Sequence, residues 1–426
     1  MYMASPVNLD DNCRYIDFSF PPMTSTTPVP LGSSDSLYMT AEEAASALNV
    51  SVPTLYTYVS RKNIRAHKTR GSRVSRYLRS DIEQIKSGVA PASARDTAPG
   101  LTGSSAITLM TEAGSFYRGV SAIDLAEEAT LEDVARLLWD AGEFDPFEGS
   151  ATSPPPQSGA LLKACAGYSA LDRAIMLLPA IEGANPRAHD LGKHGFLRSG
   201  ADVLRWFAAW MLGQSSPARL PLHQYIGATT KCGPKLEDAV RRVLVLSADQ
   251  ALHPATYVAR AAASTGATPY RCVIAGLSAA TGKRLPAVRV GAFSRFLAEI
   301  DNAQDTTEPV RIRMRESEDI PGFGYSPFNA PDPRSAALWA SLRVLLATDR
   351  NFAGFARAID LAVDLTGQQP DFALLAAYVN RRIGAEPDAN LVRLGRIAGW
   401  VAHAWEQQNE MPLVRWKVNY NGILPG

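Results

Sequence analysis

Along most of the chain apolar residues return every third or fourth position, which is the spacing of amphipathic helices. Thr130 to Trp139 shows it clearly: Val134, Leu137 and Leu138 share one face, Thr130 stands as the cap and Asp133 falls in the first turn. The segments Ser335–Thr348 and Leu391–Gln407 are rich in Ala and Leu, apolar enough for a core or a dimer interface. Two stretches break the rhythm. Residues 1–36 mix Asp, Ser, Thr and Pro and predict a disordered leader, and residues 88–103, rich in Ala, Ser, Pro, Thr and Gly, read as a linker. The expected fold class is mainly α, with a small module in front of a long helical region.

The front module spans residues 37–87. Thr40 with Glu43 forms a capping box, and Ala44, Ala45 and Leu48 continue at helical spacing. Asn49-Val50-Ser51 supplies a turn, and a second helix starts at Ser51 with Pro53 in its first turn. Two short helices joined by a tight turn predict a helix-turn-helix. His67 to Arg76, around Gly71, predicts a β-hairpin wing, and Tyr77 to Ile85 a closing helix. Between Arg61 and Lys86 nine positive residues face only Asp81 and Glu83. The module resembles the winged helix-turn-helix of MerR-type regulators and phage excisionases. The resemblance implies a second helix in a major groove and guanidinium groups on phosphates, with Thr54, Tyr56, Arg61, Lys62, Arg65, Lys68, Arg70 and Arg73 as DNA contacts. A solvated basic face, or a module turned to protein contact, is the plainer alternative.

Charge limits the picture rather than directing it. With 43 Lys+Arg against 42 Asp+Glu the chain is no globally basic nucleic-acid coat, so any DNA contact is local. Cys13, Cys165, Cys232 and Cys272 lie far apart without a CxxC pair, which predicts reduced thiols, no metal site and a cytoplasmic protein. No apolar run approaches the roughly 20 residues a bilayer requires, so no membrane partner is expected.

Five motifs in order define the rest of the chain: Tyr117-Arg118-Gly119 with the Thr130 helix after it; Ala263-Ser264-Thr265-Gly266-Ala267; Gly322-Phe323-Gly324 with Asp332-Pro333-Arg334; Pro370-Asp371-Phe372; and Gly395-Arg396 through Gly399-Trp400 to His403. In this order they resemble the catalytic region of citrate synthases. The resemblance implies a helical dimer in which residues 104–263 and 371–426 form a large domain and residues 264–370 a small one that closes over substrates. It also implies an acyl-CoA and a dicarboxylic 2-oxo acid as ligands, with no further cofactor.

That reaction removes a proton from the carbon beside a thioester carbonyl. Because the carbon acid is weak, it needs a carboxylate base and histidines that stabilise the developing charge and polarise the ketone. Arginines suit the carboxylates of the oxo acid because their planar fork matches a carboxylate. By resemblance Asp371 is the base, Arg334 and Arg396 hold the oxo acid, and Arg415 or Lys417 stands for a basic group given across the dimer. The histidines depart from the family pattern. Gln250, Leu285 and Tyr325 occupy the three family histidine positions, and His253 lies three residues late as a possible substitute. His403 reads as packing, and His189, His194 and His223 as structural or surface residues.

Two readings follow. In the first the chain keeps the fold, the dimer and an oxo-acid pocket but is catalytically impaired, and serves as a ligand-binding regulator or as partner subunit of an active paralog. In the second it is a working citrate or 2-methylcitrate synthase in which Tyr325, His253 or Gln250 replaces the histidines.

Overall fold

The computed structural model describes residues 38–61, 66–68, 75–79, 82, 86, 105–251, 253–282, 290–328, 331–385 and 390–410. Its contacts divide the chain into two units, Met1–Asp96 and Thr97–Gly426.

In the first unit Thr40 opens α1 (Ala41–Ala47) with a reciprocal capping box: the Glu43 N–H donates to Thr40 Oγ1 at 3.2 Å, and the Thr40 N–H donates to Glu43 Oε2 at 2.8 Å. Asn49, at φ 54°, takes the left-handed turn into α2 (Val52–Arg61). Strands β1 (Tyr38–Met39), β2 (Ala66–Lys68) and β3 (Ser75–Leu78) form an antiparallel sheet in the order β1-β3-β2, with His67 opposite Arg76. The predicted wing is therefore present as paired strands. The predicted closing helix starts too early, because Tyr77 and Leu78 belong to β3. Alternation along this strand turns Arg76 outward and buries Tyr77 with Ala44, Leu55 and Ile82.

The second unit opens with a meander of β4 (Thr108–Thr111), β5 (Gly114–Tyr117) and β6 (Val120–Ser121). Helices follow without another strand among the described residues: α3 (Ala122–Glu128), α4 (Leu131–Leu138), α5 (Ser158–Ala164), α6 (Ala170–Ala184), α7 (Lys193–Met211), α8 (Leu222–Thr230), α9 (Pro234–Leu246), α10 (Pro254–Ala263), α11 (Pro269–Ala279), α12 (Val290–Asn302), α13 (Glu308–Glu316), α14 (Pro333–Leu345), α15 (Arg350–Thr366), α16 (Phe372–Arg382) and α17 (Leu391–Glu410). Thr130 caps α4 as its spacing predicts, with Asp133 returning the hydrogen bond. Proline stands in the first turn of α9, α10, α11 and α14, where its missing N–H and fixed φ cost nothing.

Helix α17 is the central post, packed against α4, α7, α9, α10 and α11. Two glycines one turn apart allow this: a Cβ at Gly395 would strike Ser247 and Leu244, and one at Gly399 would strike Asp249 and Ala248. Trp139 fixes α4 to the post through an Nε1–H bond to the Ala398 carbonyl at 2.8 Å. The second Ala/Leu-rich segment is accordingly core. The first is mixed: α14 buries Leu338 and Leu342 but leaves Val344 77% exposed. Among the described residues no helix is long and apolar enough to cross a membrane, and Cys165, Cys232 and Cys272 are free.

Candidate active site

Asp371 stands immediately before α16 and is buried. It is tied to a neighbouring loop twice. Its N–H donates to the Gly322 carbonyl at 2.7 Å, and its Oδ1 accepts from the Tyr325 N–H at 2.9 Å. Gly322 and Gly324, at φ 89° and 88°, let this loop pass so close to α16 that a Cβ on Gly322 would overlap Leu374. The Gly-Phe-Gly motif thus presses the loop onto the carboxylate and presents residue 325 beside it.

Arg334 lies in the first turn of α14, wholly buried. Its Nε and Nη2 donate to Asp332 Oδ1 and Oδ2 at 3.1 and 2.8 Å, while Asp332 also caps α14 by accepting the Arg334 N–H at 3.0 Å. Phe328 and Phe372 cover the guanidinium at 5.4 and 5.0 Å. Burial would lower its pKa, but Asp332 outweighs that and leaves it raised.

Arg396, on α17, has no such carboxylate fork. Its Nη2 donates to Gln250 Oε1 at 2.9 Å. Burial, with Arg334 nearby and Asp249 opposing, brings its pKa down to about 10, so it remains a cation at neutral pH. Nη1 of Arg334 and Nη1 of Arg396 are both buried without a hydrogen-bond partner among the described residues. Gln250 also hydrogen-bonds the half-exposed Tyr325, whose pKa is raised by burial against the pull of Arg334. Gln250, Tyr325, Arg396 and Asp371 are thus linked by hydrogen bonds, and Arg334 lies within electrostatic reach of Tyr325 and Arg396.

His253 caps α10, its Nδ1 accepting the Ala255 N–H at 3.3 Å. An accepting Nδ1 leaves the proton on Nε2. Burial, helped by the Arg396 charge, lowers its pKa to about 4, so the ring is neutral near pH 7.

Behind this group runs a buried polar chain that sequence reasoning missed. His403 is not mere packing: its Nε2 lies 3.1 Å from Asp249 Oδ2 and its Nδ1 3.2 Å from Arg260 Nη1. Arginine can only donate, so Nδ1 accepts and the Nε2–H points at Asp249. Arg260 goes on to Glu406 at 2.5 Å and Gln407 at 3.0 Å. Burial would raise the Asp249 pKa, but His403, Arg396 and Thr108 hold it below the ordinary value. Tyr117 of the Tyr-Arg-Gly motif closes the far side, its hydroxyl meeting the Val245 carbonyl at 3.1 Å and the Asp249 N–H at 3.3 Å. Arg260, His403 and Glu406 recur at helical spacing on α10 and α17, but no local signal pairs positions some 150 residues apart.

Among the other expectations, Leu285, Arg415 and Lys417 lie outside the described residues. His223, read as structural or surface, is buried on α8 and its pKa is lowered by burial and Arg241. In the front unit Tyr56 is 55% exposed and Thr54 bonds Ser51 at 2.8 Å, whereas Lys62, Arg65, Arg70 and Arg73 lie outside the described residues. For Arg61 and Lys68 only the backbone is described, in α2 and β2.

The helical fold, with two buried guanidiniums and a buried carboxylate gathered around α14, α16 and α17, defines the class: a citrate-synthase-like architecture. Solved structures agree. Citrate synthase from Thermotoga maritima superposes with a TM-score of 0.61 at 20% identity, covering 79% of this chain and 97% of that one. The enzyme from Pyrobaculum aerophilum gives a TM-score of 0.63 at 17% identity, covering 85% and 96%.

The family model "Citrate synthase, C-terminal domain" matches residues 95–417, and the chain belongs to that family. A helix-turn-helix domain model matches residues 38–87. The chain is 25% identical to "Citrate synthase 2" of Bacillus subtilis over 43% of its length and 51% of that protein's. It is 32% identical to "Putative citrate synthase 2" of Mycobacterium tuberculosis over 45% and 53%. It thus spans about half the length of these curated relatives. A longer match, 25% identical over 73% of this chain and 90% of the relative, is to a 2-methylcitrate synthase of Shewanella oneidensis.

Proposed function

We propose that this chain binds a dicarboxylic 2-oxo acid of the oxaloacetate type between Arg334 and Arg396, and that its condensation chemistry is impaired. The observation that carries this is the pair of buried, unpartnered Nη1 groups, one on each guanidinium, beside Tyr325 and Gln250. A carboxylate brought to such donors forms charge-assisted hydrogen bonds without first displacing a protein partner. Glutamine and tyrosine at the histidine positions still donate hydrogen bonds, but neither matches an imidazole in charge. Losing one such electrostatic donor costs on the order of 10²–10³ in rate. In this reading segment 264–370 closes over the ligand of a dimer, either of this chain or with an active paralog. The helix-turn-helix makes the protein a DNA-bound responder to that ligand.

One observation favours a second reading, that of an active citrate or 2-methylcitrate synthase. His253 is neutral, carries its proton on Nε2 and lies within electrostatic reach of Arg396, as an electrophilic donor would.

A thiol-release assay with oxaloacetate and acetyl-CoA or propionyl-CoA separates the two. The first reading expects thermal stabilisation by oxaloacetate without turnover. Turnover at ordinary enzyme rates that disappears in Asp371→Ala establishes the second, and no stabilisation by oxaloacetate at millimolar concentration overturns the first.

A further inference from the structure

Beside α16, helices α12, α15 and α16 line a cavity of about 650 Å³, within the size range of small-molecule sites. Its lining is part apolar, from Phe293, Phe355, Ala373, Ala377 and Val392, and part polar, from Asn351, Asn380 and Asn390. Four arginines join that lining. Two have their charge matched: Arg381 Nε meets Asp301 at 2.5 Å, and Arg382 forks onto Asp349 at 3.0 and 2.8 Å.

Arg350 and Arg357 differ from these. Both are exposed, and neither makes an ion pair or side-chain hydrogen bond among the described residues. Seven positions apart on α15, they project from one face about 10 Å apart along the axis. Thr306 adds a buried hydroxyl oxygen with no hydrogen-bond partner among the described residues. Asp305, which feels the charges of Arg311 and Arg357, accepts its hydrogen bonds from the Thr307 N–H and hydroxyl.

Apolar lining beside two cations that make no ion pair among the described residues selects among ligands. A neutral apolar molecule leaves the guanidiniums unused, and a bare inorganic anion leaves the apolar part of the lining uncovered. We propose that this cavity is a second ligand site, separate from the Arg334–Arg396 pair, for an amphipathic organic anion: an apolar ring or acyl body carrying a carboxylate, phosphate or sulfonate. Helix α16 contributes to both places, since Asp371 precedes its first turn and Ala373 and Ala377 line the cavity.

The probe is 8-anilinonaphthalene-1-sulfonate, titrated by fluorescence into the full-length protein. Saturable binding is expected, weakened at least tenfold by the surface reversal Arg350→Glu/Arg357→Glu and by the cavity-filling Ala377→Phe. The control reversal Lys163→Glu, on exposed α5, leaves it unchanged, and excess oxaloacetate does not displace the probe. If Ala377→Phe does not fold, the surface reversal decides alone. The proposal is overturned by the absence of saturable binding, by binding that the reversal does not weaken, or by competition from oxaloacetate. The last outcome would place the probe between Arg334 and Arg396, so the two sites are told apart whichever way each reading falls.

Discussion

Arg334 and Arg396 are both buried, both sit in a family motif and both offer one unpartnered Nη1, yet their surroundings are opposite. Arg334 is held in a two-toothed grip by Asp332, so its charge is neutralised before any ligand arrives. Arg396 has the neutral amide of Gln250 in direct contact and draws only longer-range help from Asp249, so burial lowers its pKa. One guanidinium is a strut of the fold, gripped by a carboxylate. The other is a buried charge without such a grip, which under the proposed function waits for an anion. Retention of an arginine in a motif therefore says less than the partner beside it.

The largest effect that would break this contrast comes from Arg334→Met. It strands a buried Asp332 carboxylate, and breaking such a pair costs about 3–5 kcal/mol. Urea unfolding should show that loss, with most of it recovered in Arg334→Met/Asp332→Asn. A loss below about 1 kcal/mol would mean that Arg334 is not the strut described. Arg396→Met should behave differently, within about 1 kcal/mol of the parent in urea, because removing a poorly compensated buried cation also removes its desolvation penalty. Its oxaloacetate affinity should nonetheless fall on the order of 10²-fold, the size of a lost hydrogen bond between charged groups. Calorimetry showing equal affinity in Arg396→Met would sink its assignment to the ligand.

The smallest effect is pH-dependent. His253 titrates near 4 in the folded protein against about 6.5 when unfolded. As pH drops through 6.5 the unfolded chain takes up the proton first, so stability declines between pH 6.5 and 4 and the decline ends below 4. The full difference corresponds to about 3 kcal/mol, which solvent screening of this half-buried ring reduces to roughly 2 kcal/mol. His253→Asn, which can still cap α10, should flatten that part of the stability–pH curve. An unchanged slope would assign the acid sensitivity elsewhere and free His253 for the second functional reading.

Much of this organisation was legible in order and spacing. Thr40 with Glu43, and Thr130 with Asp133, announced helix starts because capping is a local rule. The Gly-Phe-Gly, Asp-Pro-Arg and Pro-Asp-Phe motifs stand out in sequence because each encodes its own backbone geometry. The partners did not show. That Asp332 grips Arg334 rests on a two-residue spacing which, in sequence, looks like an ordinary cap. That His403 joins Asp249 to Arg260 depends on α17 docking between helices that precede it by more than a hundred residues. In the wing, Tyr77 fits a helical continuation as well as a strand until β1 pairs with it.

The close approach that Gly395 and Gly399 allow also bears on when the site comes into being. Arg396 meets Gln250 across 146 positions of chain, and His403 meets Asp249 across 154. Contacts between such distant positions close after local helices have formed, because loop closure must precede any gain from the contact. A ligand that needs both arginines finds nothing to hold on a half-assembled chain. If the proposed ligand binds there, its stabilisation appears as slower unfolding rather than faster folding, and a cell that fills the site lengthens the lifetime of the finished protein without hastening its production.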